Sequence, residues 1–311
     1  MKKQLALLFS FVVITMSASA QKEYKLAKSA GKLNLNISGA IVEGYSGNEI
    51  IFSTAKSEND VVDERAKGLR VISGSGFADN TGMGIDVSEK GDEINVNPVR
   101  KGTRLGIITI KVPQNIKIAF NNTNTNQEEL ILKNLKNEIE VSVSYNKIKL
   151  ENNSGPMNIK TLYGSVDAIF SGEIKGPVSI VSVYGYVDVS MPASTKANVE
   201  MGTSYGNLYA GEGFKIAVDK TTTEKTESDL AFGSKPVLTK TLTGGQVTTI
   251  NSVNGVGLAT TTGYSSNGQG NIISINSYSN RDRETLKGKL NGGGADVILK
   301  SNYKNVYLRE K

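Results

Sequence analysis

The chain of 311 residues contains no cysteine, no histidine and no tryptophan. Without cysteine it can form no disulfide, so its stability has to come from burial and hydrogen bonding alone. Without histidine it lacks the commonest general base and the commonest metal ligand. Serine–histidine triads, histidine- or cysteine-ligated zinc sites and thiol enzymes are therefore excluded. Carboxylate, lysine, arginine and tyrosine chemistry remains. Long apolar runs are also scarce: the longest, Leu5 to Met16, is too short to span a bilayer. It follows Lys2 and Lys3 and is followed by the small-residue ending Ala18-Ser19-Ala20. This pattern predicts a secretory signal peptide over residues 1–20, cleaved after Ala20, and hence an exported protein that is periplasmic, outer-membrane-associated or extracellular. No transmembrane segment is expected after it. Loss of Lys2 and Lys3 lowers the formal charge from +6 to +4. So small an excess does not point to nucleic acid or an anionic membrane as partner.

What the chain does have is a repeat. "LYGSVDA" at Leu162–Ala168 returns as "VYGYVDV" at Val183–Val189, and alignment on the tyrosine gives Tyr145, Tyr163, Tyr184 and Tyr205, with a later copy at Tyr303. Six positions before the tyrosine stand Ile139, Met157, Val178, Val199 and Val297; two before it stand Val143, Thr161, Ser182, Thr203 and Ser301. Aliphatic residues recur three and five positions after it, as at Val187 and Val189. Steps of two on both sides of the tyrosine indicate β-strands, and the change of parity at the following residue indicates a corner. A strand–corner–strand unit of about 20 residues cannot bury its apolar face alone, so the units must stack. The expected fold is all-β, a parallel β-solenoid with each tyrosine above the next. A two-sheet β-sandwich is the alternative arrangement. Residues 21–311 are read as a single domain with a polar loop near 219–246, where "DKTTTEKTESD" interrupts the pattern. "KLNLNI", "LGIITIKV" and "IKIAF" alternate as further strands, and the span between Tyr205 and Tyr303 leaves room for less regular coils holding Val247, Val256, Leu258, Ile273 and Ile275. "NDVVDERAKGL" is the one tolerable helix candidate, a loop being its equal.

The signal peptide, the serial "YGxVxV" coils, "IITIKVPQNIKI" ahead of them and the closing "LNGGGADVILKSNYKNVYL" together resemble the secreted bacterial adhesin-like family with β-strand repeats, related to the auto-transporter adhesin head (GIN) domain. The resemblance covers about residues 30–310. It implies a right-handed parallel β-solenoid exposed at the cell envelope in an adhesive or scaffolding role, and it supplies no catalytic residue. Lys304 departs from the pattern by standing where the coils have Gly or Asn, which predicts a differently shaped last turn.

Two columns invite a functional reading. Four residues after the tyrosine, on the outward parity, come Lys149, Asp167, Asp188 and Tyr209. Stacked coils would set Asp167 beside Asp188, close enough to recruit a cation or to serve a retaining glycosidase. A solvated charge ladder, with Lys149 neutralising Asp167, is the simpler account. The tyrosines Tyr145, Tyr163, Tyr184, Tyr205 and Tyr303 share the buried parity, which favours a core-capping role over a contact platform. Tyr186, Tyr209 and Tyr307 have outward parity and are the better contact candidates. "GFADNTGMGIDVSEKGDE" reads as a surface turn and "LNGGGAD" as a tight turn between coils, while "LREK" could cap an end. No catalytic residue, metal ligand or cofactor is expected. The sequence reads as a non-enzymatic envelope or surface protein that presents a repetitive polar face to a polysaccharide or an envelope protein. A carbohydrate-active β-helix enzyme and a structural part of an envelope complex are the alternatives.

Overall fold

A computed structural model describes residues 21–55, 64–100, 105–125, 128–219, 259–265, 268–274 and 284–311. The expected signal peptide, residues 220–246 of the expected polar loop, and Val247, Val256, Leu258 and Ile275 lie outside them. The fold is all-β, with no α-helix among the described residues. Two mixed sheets of eleven and ten strands face each other across one apolar core.

Each repeat contributes one strand to each sheet. In the strand Ile139–Val143 the residues Ile139, Val141 and Val143 are buried and Glu140 is exposed. Met157–Thr161 and Val178–Ser182 repeat this alternation. The partner strands Ile148–Glu151, Val166–Ile169 and Val187–Met191 bury their aliphatics against the same core from the other side. Equivalent residues lie in register: Ile139 opposite Met157, Met157 opposite Val178. Phe52, Phe120 and Phe170 are the largest side chains wholly enclosed between the sheets.

Spatial order departs from chain order twice. The strand Ala295–Ser301 lies between Val178–Ser182 and Ala197–Thr203, parallel to both, and Val306–Glu310 lies between Val187–Met191 and Leu208–Ala210. The coil 295–310 thus fills a place that the chain skips when it passes from Met191 to Ala197. At the other end the coil 30–45 lies between coils 93–113 and 115–133. Stacking in strict sequence order, as the repeat implied, is therefore corrected. The register of apolar positions is the same in every copy, so a pattern of residues fixes which positions are equivalent but not which copies are neighbours.

The interior coils pair in parallel, as the expected β-solenoid requires, while both ends of the stack turn antiparallel. Ile85–Lys90 pairs with Glu93–Pro98, and Ile50–Ala55 with Ile108–Pro113, with Gln21–Leu26 outside it. At the opposite end Glu284–Leu290 closes on Ala197–Thr203, followed by Ile216–Val218. Covering an end in this way blunts the open edge on which a solenoid would otherwise aggregate. At this second end the ten-stranded sheet has no antiparallel strand among the described residues, and Leu208–Ala210 is its last strand.

Smaller expectations also meet the structure. Ala259–Ser265 and Gly268–Ser274 form an antiparallel hairpin, not a coil. Of the helix candidate, Glu64–Ala66 makes one short 3-10 turn, and residues 56–63 are outside the described set. "LREK" does not cap an end, because Leu308 sits fully buried in an interior strand. In the glycine-rich turn the Asp79 carboxylate accepts the backbone N–H groups of Thr81, Gly82 and Gly84, which fixes the turn. Asn291, Gly292 and Gly293 take positive φ in the tight turn ahead of the 295–310 coil.

Candidate functional site: the tyrosine corner and the adjoining face

The corner is built by a buried hydroxyl two residues before each tyrosine. Thr161, Ser182, Ser301 and Thr203 are 0–4% exposed. Each accepts the N–H three residues ahead, at Gly164 (3.1 Å), Gly185 (2.8 Å), Lys304 (3.0 Å) and Gly206 (3.0 Å). Three of them donate onward to the carbonyl of the neighbouring corner: Ser182 to Gly164 (2.8 Å), Ser301 to Gly185 (2.7 Å) and Thr203 to Lys304 (3.1 Å). Every hydroxyl in this ladder has at least one hydrogen-bond partner, which is what makes its burial tolerable. Asn146 closes the ladder from the preceding coil, accepting from Asn122 at 2.9 Å and donating to the Glu128 carbonyl at 2.6 Å.

This stacking explains the glycines. A Cβ on Gly164, Gly185 or Gly206 would overlap the backbone carbonyl of the adjacent corner, at Asn146, Gly164 and Lys304 respectively. Lys304 nevertheless makes the same corner hydrogen bonds as the glycines do, so the differently shaped last turn is corrected.

With its backbone fixed, each tyrosine follows. The N–H of Tyr163 donates to Ser144, that of Tyr184 to Leu162 and that of Tyr303 to Val183, at 2.7–2.9 Å. The rings form one column in the order Tyr145, Tyr163, Tyr184, Tyr303, Tyr205. Centroids are 4.8, 5.0, 4.7 and 5.0 Å apart and the rings lie within 12° of parallel. The spacing is the strand spacing of the sheet beneath it. The rings stack on one another at the corner, as a core-capping role requires, but they are more exposed than their parity implied: Tyr303 is 39% exposed and Tyr205 66%. Residue parity misled because the chain turns at this position, so the side chain leaves the corner along its outer edge. A stacked ring has its faces covered by its neighbours. The column therefore offers a row of ring edges and hydroxyls, not a flat platform.

The outward face of the ten-stranded sheet adjoins this column. Its row four residues after the tyrosine runs Lys149, Asp167, Asp188, Tyr307, Tyr209. Asp167 and Asp188 are register partners as expected, but each has its own cation. Lys147, not Lys149, meets Asp167 at 3.0 Å, and Arg309 meets Asp188 at 2.8 Å, while Lys149 is held by Glu129 at 2.8 Å. The hydrogen bond and charge of Asp167 raise the pKa of Lys147 above its ordinary value, and Asp188 does the same for Arg309. Burial, then the charge of Asp167, push the Tyr186 phenol up, and its hydroxyl donates to Asp167 at 3.3 Å. Tyr209 stacks on Tyr307 at 5.1 Å, and the Arg309 guanidinium lies 5.0 Å from the centre of the Tyr307 ring. All five contact candidates, Tyr186, Tyr209, Tyr307, Asp167 and Asp188, thus share one face. The roles of Lys147 and Arg309 were missed by the sequence reading, although both lie on the same outward parity as the acids.

Two shallow depressions lie near the 197–210 end. One of about 310 Å³ is bounded by Tyr209, Tyr307, Arg309 and Glu310. The other, about 380 Å³, lies on the opposite sheet around Glu200, Lys287 and Asp296. There burial pushes the Glu200 carboxyl up, but Lys300 and Lys287 outweigh it and hold the group below its usual range. Among the described residues no group of three or more His, Cys, Asp or Glu could hold a metal ion, and no helix is long and apolar enough to cross a membrane.

No curated protein matches the chain. A crystal structure of a "putative cell adhesion protein" from Clostridium sporogenes ATCC 15579 aligns with 94% of this chain and all of its own, at 14% identity and a TM-score of 0.36. The model of the Toastrack DUF4097 family matches residues 84–244, just over half of the sequence and most of the tyrosine column, and the chain belongs to that family.

Proposed function

We propose that this is a non-enzymatic, adhesin-like protein of the cell envelope or surface. On this reading it is exported and holds a glycan, matrix polymer or protein partner against its tyrosine corner and the face beside it. The observation that carries the reading is the continuous row of half-exposed tyrosines at a fixed 4.7–5.0 Å pitch. Weak contacts repeated at a rigid pitch add along a polymer, so affinity comes from their number. Kinship with the auto-transporter adhesin head (GIN) domain belongs to the same proposal and is supported by the serial strand–corner–strand units. The ion pairs of Asp167 and Asp188 speak for a binding face over a glycosidase pair, because each carboxylate already has a cationic partner.

Co-sedimentation of the protein lacking residues 1–20 with envelope polysaccharide, alongside a reducing-end assay, tests this reading. The expected result is retention with no new reducing ends. Replacing Tyr163, Tyr184 and Tyr303 together by Ala should weaken retention by about tenfold or more, given roughly 0.5–1.5 kcal/mol for each aromatic contact. Release of reducing ends by the wild-type protein would instead favour the enzyme.

A further inference from the structure

The strip that carries the tyrosine column is poor in charge. Each tyrosine with the residue before and after it makes a corner triplet, and of the fifteen residues in the five triplets Lys304 is the one that is charged, in a chain that is 21% charged. Aromatic enrichment with charge depletion is the composition of an interface centre. Tyr184 is the middle ring of the five, with Tyr163 and Tyr303 on either side of it and Tyr145 and Tyr205 beyond them. Because the ring faces cover one another, the column turns edges and phenol hydroxyls outward, and Tyr184 is 42% exposed. A phenol hydroxyl both donates and accepts, so one row of them is complementary to another. Pitch selects the mate. A rigid row meets a second row along its whole length only where the periods agree, and 4.7–5.0 Å is the spacing of hydrogen-bonded strands. An extended peptide, at about 3.3 Å per residue and about twice that between side chains on one side, falls out of step within a few coils. A second column of this kind stays in step throughout.

We propose that the tyrosine column is a self-docking surface: a second copy of this chain lies against it about a twofold axis at Tyr184, so that Tyr184 faces Tyr184, Tyr163 faces Tyr303 and Tyr145 faces Tyr205. This rests on the adhesin-like reading of the column and names its partner. A twofold contact is isologous, so one patch serves both molecules and the pair is closed. Lys304 lies one coil from the axis and its symmetry mate one coil to the other side, on the order of 10 Å away, where water and salt screen the repulsion. The strip is narrow, which puts the contact among transient interfaces, below about 1,200 Å² in total. Contacts of that size hold two surfaces together by their number.

Sedimentation equilibrium of the protein lacking residues 1–20, over a wide range of concentration, is the test. The wild-type protein is expected to form a reversible dimer. Tyr184→Lys and Tyr184→Glu each set like charges face to face on the axis and should weaken the dimer by about tenfold or more, whereas Tyr184→Phe, which keeps the ring, should weaken it less. Mixing the Tyr184→Lys and Tyr184→Glu proteins should tighten association by about tenfold over either alone, because position 184 of one copy meets position 184 of the other. Near-ultraviolet circular dichroism of the remaining tyrosine stack shows that each variant is folded. A monomer at every concentration, an unweakened dimer in Tyr184→Lys, or no gain on mixing overturns the self-docking surface. A monomeric wild-type protein that is still retained on envelope polysaccharide overturns it alone; one that is not retained overturns the adhesin-like reading with it.

Discussion

Removing residues 284–311 is expected to abolish cooperative folding of the half of the stack beyond Glu151. The missing coil is interior. It carries Val297, Leu299, Val306 and Leu308, all 0–1% exposed, and burial of such side chains contributes roughly 1.5–3 kcal/mol each. Their loss alone, on the order of 6–12 kcal/mol, matches the whole stability of an ordinary domain, about 5–15 kcal/mol. It also leaves Val178–Ser182 and Ala197–Thr203 facing each other across a vacant strand position, with their ladders unpaired. Urea unfolding followed by tyrosine circular dichroism should show the sharp transition of the full chain and a broad, weak one in the truncated chain. Adding a separate 284–311 polypeptide should restore the stack signal. An unchanged midpoint on truncation would contradict the interior placement.

Gly185→Ala is expected to destabilise by about 3 kcal/mol, the upper range for forced overpacking. The added methyl would overlap the Gly164 carbonyl, which already accepts the Ser182 hydroxyl, so two neighbouring corners must separate and the buried ladder loses its geometry. Gly172→Ala is the control: nothing lies within 4 Å of its Cβ position. That substitution should stay within about 0.5 kcal/mol. Denaturant midpoints of the two variants distinguish the claim, since a general intolerance of alanine for glycine would move both alike.

Much of this architecture was legible because a β-strand repeats its environment every second residue, and a stacked coil repeats it once more at the level of the whole unit. Ile139, Met157 and Val178 declared their common column by spacing alone. The order of the column was not legible: Val297 and Val199 have the same character, and local sequence holds no mark of which one follows Val178. The exposure of the tyrosines was missed for a related reason. Parity holds along a strand and fails at a bend, and Tyr184 stands where Ser182 has already turned the chain through its bond to Gly185. On the outward face of the ten-stranded sheet, Asp167 and Asp188 were found by register, but their partners Lys147 and Arg309 reach them diagonally, and side-chain length as well as offset decides such pairs.

Paired cysteine substitutions measure the coil order most directly, in a chain that has no cysteine to interfere. Asp188→Cys with Tyr307→Cys places the two on directly paired strands, about 4.8 Å apart and within disulfide reach. Asp188→Cys with Tyr209→Cys places them two strands apart, beyond that reach. Mild oxidation should cross-link the 188/307 pair rapidly and leave the 188/209 pair reduced. Cross-linking of 188 to 209 in preference to 307 would show the coils stacked in sequence order, and the threaded arrangement would be wrong.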